Sequence, residues 1–489
     1  MHTIVVDLGF GDAGKGGIVD WLAGPAGRAG GPPVTAVVRF NGGAQAAHNV
    51  VTPGGLHHTF SQFGSATFHG VPTHLSRFML VDPLALATEA AHLAGIGVPD
   101  PLGLLSVDRR ALVTTPYHAA ANRARERARG ASRHGSCGMG IGETVRYALA
   151  NPGDAPTIGD CLRPARLAAM LHRLRDSCRD RFGPDLGMPP VAELVRVYRM
   201  FAASVTVVDE GYLPTLLAAG PVLFEGAQGV LLDQWRGFHP YTTWSTTTFD
   251  NAETLLAEAG CAGAATRLGV LRAYTTRHGA GPLVTEDPAL TDALPEPHNR
   301  TGRWQGRFRV GHLDLVAHRY AVEVCGGVDA LAVTHLDRAE PRLRVGVAYR
   351  AGRSRIDRII PGRPRDLLGQ RQLTDTLLSC RPVLVRPAGN WAEVVTETVT
   401  GALGAPVTVT SHGPTRADKQ RRPDRGQSRS AACTATTTWT KPTRPSTVQA
   451  AAPTVATTPP TGGHSPAPSS VKVVTSTRVG RSDTVTTPI

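Results

Sequence analysis

Residues 9–15 read G-F-G-D-A-G-K, the GxxxxGK spacing of a phosphate-binding loop. In such a loop the backbone N–H groups point at phosphate oxygens, and the start of the following helix adds favourable potential. A lysine contributes a compact point charge that a broad guanidinium does not match in a tight turn. Lys15 is the only lysine before Lys419, in a chain whose Lys+Arg total is 52. A coding bias toward arginine explains the excess, and it makes a persisting lysine more telling. The next position, where Ser or Thr would hold magnesium, is Gly16. Asp12, inside the loop, is a lone Asp after glycine, a type and place that often cap a helix. A second glycine turn, N-G-G-A-Q-A-A-H, ends in His48. Further on, H-N-R-T-G-R-W-Q-G-R-F-R-V carries arginines at 300, 303, 307 and 309 among glycines and aromatics. Guanidinium forks of that kind match carboxylates with two parallel hydrogen bonds.

These residues need a scaffold that brings loops together. HTIVVDLGF is a short β-rich run that stops at glycine, and GGIVDWLAG after it has helical spacing. Further strands are predicted in TAVVRF (35–40), FMLVDP (78–83), LGLLSVD (102–108), SVTVVDEG (204–211), PVLFEGAQG (221–229), ATRLGVLRAY (265–274) and VDALAVTHLD (328–337). Helical segments such as LALATEAAHLAG and LRPARLAAMLHRLRDSCRDRF lie between them. The alternation predicts an α/β fold: a large, mostly parallel central sheet flanked by helices, a phosphate-binding glycine loop after the first strand, and smaller subdomains. Ligands of such sheets sit at the carboxyl ends of strands, where the glycine turns fall.

The chain has 489 residues, 41% hydrophobic and 19% charged, enough for a large core. Its net charge of +13 suggests nucleic acid, but ten Lys/Arg against Asp424 and Asp483 place +8 of it from Lys419 onward. The +5 left for residues 1–418 suits an enzyme with anionic substrates, so no nucleic-acid partner is expected. The seven cysteines are scattered without a CxxC pair, which points to reduced thiols and a cytoplasmic location rather than a zinc site. No apolar run reaches the ~18 residues of a membrane span, so no membrane association is expected. Beyond 418 the Thr/Pro/Ser-rich basic sequence has too few large apolar residues to offset ordering entropy. The division is therefore a catalytic domain at 1–418 and a disordered tail at 419–489.

Seven blocks, in order across residues 1–416, resemble the adenylosuccinate synthetase family. GDAGKGGIVD is similar to GDEGKGKIVD, and RFNGGAQAAHNVV to the family's R-Y/F-x-GG-x-NAGHT-LV. GSCGMGIGE resembles GTTGRGIGP; FEGAQGVLLDQWRGFHPYTTWSTTT and AYTTRHGAGPLVTE each resemble a family block; VTHLD and VTSHGPTR correspond to TKLD- and STGP-type blocks. The resemblance implies a GTP-dependent ligase that joins L-aspartate to the 6-position of IMP, in purine biosynthesis, as a cytoplasmic homodimer with Mg2+. In the implied chemistry Asp12 removes the N1 proton, the 6-oxyanion takes the γ-phosphate, and the aspartate amine displaces phosphate. His48 would assist at the reacting oxygen and Lys15 would bear on the transferring charge. The resemblance further places Gly11, Asp12, Gly14, Lys15, Gly16, His335, Asp337, Ser411 and Gly413 around GTP. Gln45, Cys137, Gln228, Thr243 and Arg303 fall on the IMP side, and Thr301, Arg303, Arg307 and Arg309 around aspartate, with Arg307 and Arg309 interchangeable. Asp12 and the carbonyl of Ala47 would meet the metal.

Several departures fall on ligand positions. Gln45 and Ala47 stand for the asparagine and glycine of NAGH, Cys137 and Met139 for a threonine and an arginine of GTTGRG, and His335 for the lysine of TKLD. Two alternatives follow: a diverged ligase with the same chemistry on another acceptor, such as a guanine nucleotide, with ATP as donor; and an inactive nucleotide-binding protein. Retention of Asp12, Lys15, His48 and Asp337 opposes the second.

Overall fold

The computed structural model describes residues 1–422, apart from 297, 298, 300 and the side chain of 131. Ten strands form the central sheet. In chain order they are β1 His2–Asp7, β2 Ala36–Arg39, β3 Thr73–Leu75, β4 Leu105–Asp108, β5 Thr206–Val208, β6 Val222–Glu225, β7 Ala265–Arg272, β8 Ala330–Thr334, β9 Val407–Ser411 and β10 Lys419–Arg421. The spatial order is β10-β9-β8-β7-β1-β6-β2-β3-β4-β5. Every neighbouring pair is parallel except β9 with β10. This is the predicted architecture, and β1 lies in the middle of it.

β1 shows why the sheet is stable. Ile4, Val5 and Val6 are β-branched and buried, which suits a strand covered on both faces. Ile4 and Val6 enter a core with Val38 and Phe224. Val5 faces the other way, toward Ile18, Val19 and Trp21 of the helix α1, Lys15–Ala23. That helix begins K-G-G, a poor helix-forming start. It is buried along nearly its whole length, so packing rather than propensity holds it.

Two expectations are corrected. FMLVDP contributes only Leu80–Val81, paired with Leu112–Val113 outside the main sheet. Asp82 there caps the helix Pro83–Gly95 through the amides of Leu84 and Ala85, and the place in the sheet goes to β3. The chain boundary also shifts. Lys419–Arg421 closes the sheet edge against β9, so the described fold runs past 418; the remaining tail, and Arg300, lie outside the described residues.

Candidate active site

The carboxyl ends of β1, β2, β6, β7, β8 and β9 carry Asp7, Arg39, Glu225, Arg272, Thr334 and Ser411; Asp12, Gln45, Gln228, His335, Asp337 and Gly413 follow on the adjoining loops, whereas Cys137 comes after the helix Pro116–Arg129 and the 301–309 stretch after the helix Pro288–Ala293. Loop 8–14 leaves β1 with positive φ at Gly11 (91°), Asp12 (59°) and Gly14 (85°). Gly14 is the left-handed cap that starts α1 at Lys15, and such a conformation favours glycine. Lys15 is 3% exposed. Its Nζ donates to Asp7 Oδ2 at 3.1 Å and to the carbonyl of Gln228 at 2.6 Å. Asp12 is about one quarter exposed and has His278 Nε2 3.9 Å away. Burial raises the Asp12 carboxyl above its ordinary value, against the lowering influence of His278, Arg272 and Lys15.

Gly16 is explained by the next loop. A Cβ there would stand 2.9 Å from His48 Cβ and 3.1 Å from Asn49 O. The loop therefore cannot take the usual Ser or Thr without moving the strand His48–Val51. His48 is held from its other side: Nδ1 lies 2.6 Å from Glu225 Oε1. Glu225 also accepts from the amide and hydroxyl of Ser65. Burial alone would raise Glu225, but Arg39, His48 and Ser65 outweigh it and hold the carboxyl at about 2. Burial, in turn, pulls His48 down to about 4. The ring is thus neutral, its Nδ1–H donating to Glu225, and Nε2 keeps a lone pair.

Both amide atoms of Gln45 and Oε1 of Gln228 are buried without a partner among the described residues. Buried amides left unpaired are costly, and a polar ligand edge would satisfy them. Gln228 has φ 57°, which turns its carbonyl to Lys15. Ala47 is exposed and is not among the residues of positive φ, so its Cβ is no obstacle to offering a carbonyl. The Cys137 loop meets two others: a methyl at Gly135 would lie 3.3 Å from Ala280 N and from Gln305 O. The Cys137 thiol is pushed up by burial. Thr243 donates its amide to Leu232 O at 2.8 Å.

The structure separates the loop arginines. Arg309 is committed to Glu286 at 2.6 Å and to Gly281 O at 2.8 Å. Thr301, Arg303 and Arg307 are exposed, with Arg303 over the Trp304 ring. On the other flank His335 reaches the phosphate loop: Gly14 would place a Cβ 3.8 Å from His335 Cε1. His335 Nε2 accepts from Arg272 Nη2 at 2.6 Å, and burial together with Arg272 lowers it well below the ordinary value. Ser411 is buried and Gly413 packs against Asp418, whereas Asp337 is exposed.

Sequence reasoning missed Asp7, Glu225, Arg272, Arg277 and His278. Arg277 is almost wholly buried and donates to Ala280 O, Pro282 O and Tyr241 O, which fixes the 279–282 turn. Glu225 stood inside the matched FEGAQG block and was legible as a strand-end carboxylate. Nothing local marked Asp7.

Comparisons with known proteins identify the family and the fold. A family model described as adenylosuccinate synthetase matches residues 4–419. The adenylosuccinate synthetase of Desulfovibrio desulfuricans is 32% identical over 371 residues, 71% of this chain and 81% of that one. Among solved structures, a fully ligated adenylosuccinate synthetase from Plasmodium falciparum aligns with a TM-score of 0.73 at 19% identity, covering 86% of this chain and 100% of the other. A cyanophage S-2L succinoaminodeoxyadenylate synthetase, bound to dGMP and to dATP as energy donor, aligns at 0.55 with 18% identity, covering 87% and 96%.

Proposed function

The chain belongs to the adenylosuccinate synthetase family, a family of ligases, and from that premise we propose how its own residues carry the reaction: L-aspartate is joined to C6 of IMP as GTP is cleaved. The supporting observation is that Asp12 and Lys15 after β1, and His48 after β2, stand on the two sides of β6 at the carboxyl end of the sheet, where a Cβ on Gly16 would come within 2.9 Å of His48 Cβ. Asp12 has a carboxyl held above its ordinary value and is partly open, which suits removal of the N1 proton. The 6-oxygen then bears the charge that attacks the γ-phosphorus. Lys15 and the loop amides stabilise that transfer electrostatically. His48 is oriented by Glu225, and its Nε2 faces the work as an acceptor. To donate to the reacting oxygen Nε2 must first take up a proton, which neighbouring anionic reactants favour by stabilising the imidazolium. Gln45 and Gln228 hold the acceptor nucleotide; Gly11, Gly14, Ser411, Gly413 and Asp337 surround the donor. Arg303 and Arg307, exposed like Thr301, receive the aspartate carboxylates, and Arg309 supports them from the Glu286 side.

No cluster of three metal-ligating side chains occurs among the described residues. That suits magnesium, which binds through one or two carboxylates plus substrate phosphates; Asp12 and the Ala47 carbonyl would hold it. When bound it neutralises phosphate charge. Asp7 is not assigned to the metal: its carboxylate is engaged by Gly9 N, Ala13 N and Lys15 Nζ. A cytoplasmic homodimer completes the reading; no helix among the described residues is long and apolar enough to cross a membrane.

The altered Cys137, Met139 and His335 favour a second reading, the same chemistry with a guanine-type acceptor or ATP. A panel of IMP, GMP or dGMP with GTP or ATP, plus Mg2+ and L-aspartate, separates the readings by which pair yields a succinylated purine and free phosphate. The first reading expects IMP with GTP to be best. Tight nucleotide binding with no turnover on any pair would refute both.

A further inference from the structure

Asp7 ends β1 with its side chain 0% exposed. Its Oδ1 accepts from Gly9 N at 2.7 Å; its Oδ2 accepts from Ala13 N at 2.9 Å and from Lys15 Nζ at 3.1 Å. Two loop amides and one ammonium are the groups a phosphate loop presents to phosphate. Here a carboxylate from the preceding strand already engages them. The remaining anchor of Lys15 is the Gln228 carbonyl at 2.6 Å, so two of its three N–H donors are spent within the protein.

We propose that Asp7 is the resident counter-anion of the phosphate loop, a positioning residue that holds Lys15 and against which the donor triphosphate must compete. The proposal rests on the reading that this loop binds the donor. It follows from charge. A fixed carboxylate within hydrogen-bonding distance of Lys15 neutralises the ammonium before any ligand arrives, and it repels an incoming polyanion. It also fixes where the ammonium stands, and phosphoryl transfer depends on such placement. Asp7 thus weakens donor binding in the ground state and sharpens the geometry of transfer. A residue that only supported the fold would improve both when present.

The test is Asp7→Asn in the full chain, with GTP binding measured by titration calorimetry and turnover measured separately. The variant leaves Lys15 buried without its counter-charge, so the ligand-free protein melts lower than wild type. Its dissociation constant for GTP falls by roughly tenfold as the freed ammonium turns to phosphate, while kcat drops. If the folded variant binds GTP no more tightly than wild type, the proposal is wrong. If Asp7→Asn does not fold, the comparison is Lys15→Met with and without Asp7→Asn. Removing the now unpaired carboxylate must raise the melting temperature and tighten GTP binding relative to Lys15→Met alone; failure of either overturns the proposal. A wild-type chain that binds no GTP would instead refute the donor-loop reading.

Discussion

Gly16→Ser puts back the hydroxyl residue that a phosphate loop ordinarily has, and the structure says it fails here. The added Cβ meets His48 Cβ at 2.9 Å, with the His48 carbonyl carbon and Asn49 O both at 3.1 Å. The strand cannot simply withdraw. His48–Val51 is paired with His57–Phe60, and the His48 ring is held by Glu225 at 2.6 Å. Overpacking of this kind costs about 1–3 kcal/mol, a few degrees at most in melting temperature for a fold of this size. The larger effect is on His48. A displacement approaching ~1 Å at a reacting group costs up to about 100-fold in rate, so kcat should fall roughly ten- to a hundredfold. The assay is steady-state turnover beside a thermal melt. Gly16→Ala should match Gly16→Ser, because the clash lies at Cβ and not at the hydroxyl. Gly17→Ala is the control: its Cβ would meet Lys419 Nζ at 3.3 Å and Cε at 3.4 Å but nothing of the His48 strand, so it should leave kcat near wild type. A Gly16→Ser enzyme with wild-type kcat and melting temperature would refute the reasoning.

Other outcomes follow from the same geometry. Lys15→Arg should lose about a hundredfold in turnover, because a planar fork does not fit between Asp7 Oδ2 and Gln228 O; near-normal kinetics would show that the lone lysine is incidental. Truncation after residue 422 should leave melting and activity unchanged, whereas truncation after 418 removes β10 and the Lys419 ammonium that bonds Gly413 O and Thr415 O and should lower the melting temperature. Burial, opposed by Asp418, Asp20 and Asp337, holds the Lys419 ammonium down at about 8. The unfolded chain, near 10.4, therefore binds more protons between the two values, and this residue's contribution to stability rises with pH across about 8 to 10.4, by roughly 3 kcal/mol. The difference in unfolding free energy between wild type and Lys419→Met, measured by denaturant titration, should widen in that window; a flat difference would contradict it.

Much of this architecture was readable from local pattern. The run of β-branched residues at 4–6, the glycines after it and the apolar residues at 18, 19, 21 and 22 give a strand, a turn and a helix in the order observed. FMLVDP misled because a short apolar run does not reveal its pairing partner, and Asp82-Pro83 was a helix start. Within the candidate site, Lys15 drew attention by its residue type and spacing, and Asp12 and His48 by the resemblance of the blocks that hold them. The site was not readable where the partner lies far off in sequence. Glu225 meets His48 across 177 residues and Lys15 meets the Gln228 carbonyl across 213; only the parallel order β1-β6-β2 brings them together. Gly16 looked like a lost magnesium ligand, and its reason, close approach of the His48 strand, exists only in three dimensions.

The central claim is that this site activates a purine oxygen by giving it a phosphoryl group. The most direct test is to supply IMP labelled with 18O at C6, together with GTP, Mg2+ and L-aspartate, and to weigh the phosphate released. The account predicts one 18O per phosphate, carried over from the purine. Unlabelled phosphate formed alongside succinylated product would contradict it.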